Sequence, residues 1–311
     1  MRILHLLEMK INDIIPLIPE IAKCKFTHIQ IGNVAKLKSS LYPNELNRIN
    51  GYKCGRNIYS DWFKLYQQLA FEIGNDEIGS REDLIKLCKV ATEYNIKIVA
   101  DVVLRHLANG EKRDQDNMEP NSKCDKEILS NRENFLYKIP MQYKNRFSEI
   151  WHCNNLPSLN YTSDFIIAKY EKYLSDLIIC GVKGLRVDMA KHFALPSEGG
   201  QKFWNVLKHF KESYNIDIYG ETIQCGDEFL DQFIKETGIM TLSDYIGYQD
   251  KDMMVKFIYS HDMALTDNID IDNERVIKGY HKICENNPNT LFYTVDYKGW
   301  NDPKVIEANM M

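Results

Sequence analysis

Three acidic residues follow short apolar runs. Asp188 closes Gly184-Leu185-Arg186-Val187, Glu221 closes Tyr219-Gly220, and Asp262 follows Phe257-Ile258-Tyr259-Ser260-His261. If those runs are parallel strands, the acids sit at strand C-termini, where barrel enzymes carry their reactive groups. Two carboxyl groups about 5 Å apart can cleave a glycosidic bond with retention, one attacking the anomeric carbon while the other protonates the leaving oxygen. Each acid alone is more often a helix N-cap or a loop ion pair than a catalyst. The set comes with Arg186, His106, His192 and His261, side chains suited to gripping carboxylates or sugar hydroxyls.

The elements that must position these groups recur along the chain as an apolar run followed by an amphipathic stretch. Runs at Ile3 to Leu7, His28 to Ile31, Ile96 to Val103, Gly184 to Val187, Asp217 to Tyr219, Ile239 to Leu242, Val255 to Tyr259 and Thr290 to Val295 give eight strand candidates. The third, Ile96-Lys97-Ile98-Val99-Ala100-Asp101-Val102-Val103, is almost continuously apolar, as a strand covered on both faces must be. Helical spacing follows at Ile14, Leu17, Ile18 and Ile21, and again at Phe165 to Ile179, Phe203 to Phe210 and Val276 to Cys284. Ser80-Arg81-Glu82-Asp83 has the pattern of a capping box ahead of the stripe Leu84, Leu87, Cys88 and Ala91. Eight βα repeats without a Gly-rich phosphate loop argue for an α/β protein of the (β/α)8 TIM barrel class over an open doubly wound sheet. Residues 1–311 then form one barrel, with residues 107–162, polar and irregular, inserted as a small lobe after the third strand. The sixth helix, within Ser243 to Asp252, has to be very short.

Bulk properties exclude other classes. The 311 residues are 44% hydrophobic and 27% charged, the profile of a globular enzyme. A formal net charge of −5 offers no field for a nucleic-acid backbone. His5, Glu8 and Lys10 interrupt the N-terminus before a signal-peptide core can form, and no stretch is apolar enough to span a bilayer. The eight cysteines show no CxxC pair or zinc-ligand spacing, so free thiols in a reducing cytoplasm are expected. Cys88 and Cys180 read as small core residues.

Asp101-Val102-Val103-Leu104-Arg105-His106, Gly184-Leu185-Arg186-Val187-Asp188-Met189-Ala190-Lys191-His192, Tyr219-Gly220-Glu221-Thr222 and Phe257 to Asp262 resemble, in order and spacing, the four signature regions of the α-amylase family of glycoside hydrolases. Trp62 to Gln67 is similar to the family's aromatic segment, and Leu156-Pro157-Ser158-Leu159-Asn160 to the motif closing its inserted lobe. The resemblance spans nearly the whole chain. It implies Asp188 as nucleophile, kept ionised and oriented by Arg186, Glu221 as acid/base, and Asp262 as a clamp on sugar hydroxyls. It further implies that His106 and His261 bind the sugar being cleaved and that Tyr66 stacks beneath it. Trp62 and Gln67 would line the glycone side, and Lys191 and His192 would reach toward the leaving group. Read as structure instead, Trp62 and Tyr66 are core aromatics and Lys191 a solvated charge on a helix start; His209 and His281 match no motif and read as surface residues.

The implied reaction is retaining hydrolysis of α-1,4-glucosidic links in starch- or glycogen-type α-glucans or maltooligosaccharides. A glucanotransferase with the same three acids, and a decayed carbohydrate-binding barrel, are the alternatives. Arg105 stands where the family usually carries an Asn that in many relatives ligates calcium, and Ser158 where it often carries Asp. A guanidinium cannot coordinate a cation, so no metal ligand is assigned and calcium is doubtful. Ser260 replaces another usual Asn. The chain ends at Met311, shortly after the eighth strand and without the family's C-terminal β-sandwich. A short or missing last helix is therefore expected, with apolar barrel surface left for a second copy of the chain in a homo-oligomer.

Overall fold

In the computed structural model, the eight expected runs are eight parallel strands closed into a barrel. The structure describes residues 1–38, 53–54, 58–59, 62–110, 119–136, 146–151, 156–244, 250–260, 274–294 and 299–311, with the backbone alone for 53–54, 58–59, 62 and 151. Strands β1 (Arg2–Leu6), β2 (His28–Ile31), β3 (Ala35–Leu37), β4 (Lys53–Cys54), β5 (Ile58–Tyr59), β6 (Gln68–Ile73), β7 (Lys97–Val102), β8 (Gly184–Val187), β9 (Asp217–Glu221), β10 (Met240–Ser243), β11 (Met254–Lys256) and β12 (Thr290–Tyr293) follow in chain order. The barrel runs β1, β2, β7, β8, β9, β10, β11, β12 and back to β1. Its register pairs Asp101 with Arg186 and Arg186 with Tyr219, which brings three polar side chains to one height in adjacent strands.

The barrel interior is filled rather than hollow. Below the carboxylates, Tyr219 Oη donates to Gln30 Oε1 at 2.7 Å and Gln30 Nε2 donates to His5 Nε2 at 3.0 Å. All three side chains are buried, so the chain satisfies polar groups that would otherwise cost stability. Gly220 lets the turn after β8 and the helix Asp227–Thr237 pack against β9: a Cβ on Gly220 would lie 2.6 Å from Ala190 Cβ and 2.9 Å from Phe233 Cζ.

Helices cover the outside. Ser80 caps the helix Arg81–Glu93, with its hydroxyl accepting from Asp83 N and Asp83 reaching back to Ser80 N, which completes the capping box read from the sequence. Leu84, Leu87, Cys88 and Ala91 of that helix are buried, each large aliphatic contributing about 1.5–3 kcal/mol by leaving water. Asp164–Ile179, Gln201–Tyr214, Asp227–Thr237 and Glu274–Asn286 repeat the arrangement. The first helical stretch is broken into Ile11–Ile14, a 3-10 turn Ile15–Leu17, and Ile18–Lys23, because Pro16 and Pro19 lack the N–H groups a continuous helix needs. Leu17, placed on the buried stripe by spacing, is half-buried; Ile11 takes its place. The last helix, Pro303–Met310, is short as expected, and Asn309 Nδ2 ties it to Cys24 O at 2.7 Å.

An antiparallel pair, β3 with β6, stands outside the barrel beside its third strand. Sequence periodicity does not mark it. Gly74 and Gly79 follow β6 with φ of 125° and 145°, backbone angles that an L side chain resists. Between β7 and β8 the chain includes two short helices, Lys126–Leu129 and Arg146–Trp151, and a 3-10 turn, Arg132–Asn134. Residues 111–118, 137–145 and 152–155 of the expected lobe, the sixth-helix segment 245–249 and Val295 lie outside the described residues.

Candidate active site

The C-terminal ends of β7, β8 and β9 deliver Asp101, Arg186, Asp188 and Glu221 to one point. Arg186 Nη1 donates to Asp101 Oδ1 at 2.8 Å and Oδ2 at 2.9 Å, and to Asp188 Oδ1 at 2.7 Å. Its Nη2 donates to Glu221 Oε1. One guanidinium therefore holds three carboxylates among the described residues. Arg186 and Asp188 are 3% and 4% exposed and Asp101 is fully buried.

Asp188 Oδ1 is fixed by that bond, while Oδ2 is buried and meets no hydrogen-bond partner among the described residues. A carboxylate with one oxygen anchored and the other unpaired is shaped to attack. Burial raises the pKa of Asp188 well above the usual carboxyl range, opposed by the Arg186 charge and reinforced by Glu221 and Asp101. Arg186 thus orients Asp188, as expected, and its positive charge opposes the rise that burial causes. Asp101 is raised for the same leading reason. Protonation belongs to the cluster as a whole.

Glu221 is held from a second side. Met189, directly after Asp188, takes a left-handed conformation with φ 49° and ψ 37°, a costly geometry for a non-glycine residue. That turn aims the Met189 N–H at Glu221 Oε2, 2.9 Å away. It leads into the 3-10 turn Ala190–His192. Lys191 is half-buried and donates to Ile223 O at 2.9 Å, so it is not a solvated charge. His192 Nδ1 lies 3.0 Å from Glu149 O. Burial lowers the pKa of His106 and His192 to about 4 each, leaving both imidazoles neutral near pH 7.

On the other wall, Tyr66 is buried, donates its hydroxyl to Asp101 Oδ2 at 2.9 Å, and lies with its ring 5.9 Å from the Arg186 guanidinium carbon. Gln67 Oε1 accepts from Asn109 N at 3.2 Å, tying the aromatic segment to the loop after β7. Trp62 begins the turn Trp62–Tyr66, but its side chain, like His261 and Asp262 entirely, lies outside the described residues. His209 is exposed on the helix Gln201–Tyr214, and His281 is half-buried with Nδ1 3.0 Å from Met311 Sδ.

Three supporting residues were not singled out from the sequence: Asp101, the N–H of Met189 and Gln68. Asp101 had a signal, an acid within an otherwise apolar strand, since such groups are almost never buried unpaired. Gln68, fully buried, donates to Val103 O and to His106 O, the latter at 3.1 Å. Nothing in its spacing announces that.

The residues around position 105 do not fit the calcium that many relatives bind. Arg105 fills the centre of its site, donating to the carbonyl oxygens of His192, Leu159 and Ile150. Ser158 turns its hydroxyl to Leu156 O at 3.3 Å.

Comparison with known proteins agrees with this geometry. Residues 61–285 match the family model described as α-amylase, catalytic domain. An α-amylase of Clostridium acetobutylicum is 31% identical over 235 residues, covering 72% of this chain and 28% of that protein. An α-amylase of Butyrivibrio fibrisolvens is 22% identical, covering 94% of this chain and 34% of its own length. The chain therefore spans about a third of these curated relatives. Among solved structures, the γ-CGTase of alkalophilic Bacillus clarkii superposes with a TM-score of 0.69 at 18% identity, over 91% of this chain and 44% of that one. With a family model matched from the aromatic segment to the last long helix, and a closed eight-stranded barrel beneath it, the chain belongs to the α-amylase family of glycoside hydrolases.

Proposed function

We propose that this chain is the catalytic barrel of a retaining α-glucan hydrolase that cleaves α-1,4-glucosidic links through a covalent glycosyl-enzyme. The observation that carries the reading is the pairing of Asp188 and Glu221 on one buried guanidinium, with Asp188 Oδ2 left without a partner among the described residues. Asp188 Oδ2 attacks the anomeric carbon. Glu221 gives the leaving oxygen its proton and then removes one from the incoming water, while the bond to Asp188 breaks with a second inversion. Burial favours retention of a proton by the Asp101, Asp188 and Glu221 cluster, and this is the proton that Glu221 delivers.

The remaining roles follow from placement. Tyr66 forms the floor on which a sugar ring stacks. His106, neutral and anchored through Nδ1 to Leu107 O at 3.2 Å, offers Nε2 to a hydroxyl. Asp262 and His261 would grip hydroxyls of the same ring, Trp62 and Gln67 would line the glycone side, and Lys191 with His192 would border the leaving group. By the family resemblance, residues 107–162 would form the inserted lobe beside the cleft.

The test is hydrolysis of a maltooligosaccharide followed by NMR of the first products. Fresh α-anomers are expected from the wild type, with Glu221→Gln slowed about 10³-fold or more. Fresh β-anomers, or full activity of Glu221→Gln, would refute the mechanism. Products longer than the substrate would assign the same chemistry to glucan transfer.

A further inference from the structure

The geometry points to Arg105 as a built-in cation that joins the lobe segments to the barrel in place of a metal ion, and that positions the acid/base through the turn it holds. Arg105 is fully buried three residues after the end of β7. Nε donates to His192 O at 3.0 Å, Nη1 to Leu159 O at 3.4 Å, and Nη2 to Ile150 O at 2.5 Å. Those oxygens belong to three separate segments: the turn after β8, the lobe-closing Leu156–Asn160 motif, and the helix Arg146–Trp151. The backbone repeats the link, because Leu159 N donates to Arg105 O at 2.9 Å.

No carboxylate pairs with Arg105 among the described residues; its other neighbours are the ring faces of Tyr161, 5.1 Å from the guanidinium carbon, and Phe193 at 5.7 Å. The converging carbonyl oxygens are the ligand type that a bound hard cation takes from a protein, and the ring faces suit a guanidinium. Here the charge arrives on the chain itself. A divalent ion at the same point would meet both the guanidinium's bulk and its charge.

The His192 carbonyl ends the turn that starts at Met189, whose N–H fixes Glu221 Oε2. Arg105 touches no reacting atom. It is a positioning residue acting through that turn, a role that rests on the acid/base assignment of Glu221, whereas its replacement of a cation does not.

Thermal unfolding and calcium calorimetry test the inference without requiring turnover. Wild type is expected to keep its Tm within about 1 °C after EDTA and to bind no calcium at this site. Arg105→Met, Arg105→Asn and Arg105→Asp should each lower Tm, by roughly 5–10 °C, through lost charge-assisted bonds and unsatisfied carbonyls. Millimolar calcium should raise the Tm of the Asn and Asp variants by several degrees with one-to-one binding, because each places an oxygen among the three carbonyls. The Met variant should not respond.

Should these variants fail to fold, Arg105→Lys, which keeps the charge but not the fork, must still fold and remain more stable than the Met variant's aggregated or molten product. For positioning, the alkaline limb of the kcat/KM profile of Arg105→Lys should move to higher pH, since loosening the Met189 N–H removes a donor to the Glu221 carboxylate. The inference is overturned if EDTA destabilises wild type, if Arg105→Met matches wild-type Tm, or if both oxygen-bearing variants ignore calcium. An unmoved alkaline limb overturns the positioning role.

Discussion

Replacing Asp188 by asparagine should raise the protein's stability at neutral pH while it ends turnover. Asp188 sits 2.7 Å from Arg186 Nη1, so the substitution gives up one attraction, worth about 4 kcal/mol between charge centres roughly 4 Å apart at an effective dielectric near 20. It also removes two repulsions, from Asp101 and from Glu221, which hang on the same guanidinium. At roughly 5 Å each of these is about 3 kcal/mol. The balance favours the asparagine by about 2 kcal/mol, and somewhat less because the cluster already keeps a proton. For a domain of this size that is a rise in Tm of roughly 2–5 °C. The pH dependence has a definite sign. The folded pKa of Asp188 lies above its unfolded value, so the native state binds the extra proton, and wild-type stability falls as pH rises from the ordinary carboxyl range through the raised folded pKa. The asparagine variant lacks this loss. Calorimetric melts at intervals from about pH 4 to pH 8 should show the two proteins converging in acid and separating toward neutral pH. A variant less stable than wild type at pH 7–8, or a gap that widens in acid, would refute the assignment of Asp188 as a buried charge held against its preference.

Gly220→Ala should destabilise by about 1–3 kcal/mol in a denaturant titration, because its Cβ would enter the space of Ala190 and Phe233; the neighbouring Glu221 moves with it, so kcat should fall more than KM rises. Tyr66→Phe removes one of the two donors to Asp101 Oδ2, leaving only Arg186 Nη1, and should cost about 1–3 kcal/mol of stability by the same titration; an unchanged midpoint would show that the hydroxyl bond does not hold the cluster. Burial pushes the Cys88 and Cys124 thiols up to about 12 each, so Ellman's reagent should leave both unlabelled in the native protein and label them on unfolding.

All eight barrel strands could be read from the sequence because a parallel strand buried on both faces is largely apolar. The helices opposite them were legible for the complementary reason: Leu84, Leu87, Cys88 and Ala91 face the barrel at a spacing that only a helix makes continuous. The antiparallel pair β3 with β6 escaped. β6 begins with Gln68, a residue that reads as surface yet is fully buried, its amide spent on the carbonyls of Val103 and His106. Similarly, β11 ends in Lys256, buried inside the barrel wall with its pKa lowered by desolvation. In both cases tertiary hydrogen bonding and packing decide burial, and pattern carries no trace of them.

The site divides along the same line. Asp188, Arg186 and Glu221 were visible because strand ends are local features and the barrel makes adjacent ends converge. What each residue does to the others was not. The resemblance to the α-amylase family assigned Arg186 to Asp188, but its sharing with Asp101 and Glu221 depends on partners 85 and 35 residues away. Burial leads in raising the Asp188 pKa and the Glu221 and Asp101 charges add to it, while Arg186 opposes both. Arg105 carries the argument furthest, since its carbonyl partners lie 45, 54 and 87 residues along the chain. From sequence it could be read as the wrong side chain for a metal ligand; only the convergence of those three oxygens shows the departure to be a replacement. A cation moved onto the chain cannot be chelated away, so the link between lobe and acid/base should depend on folding alone and not on the metal content of the medium.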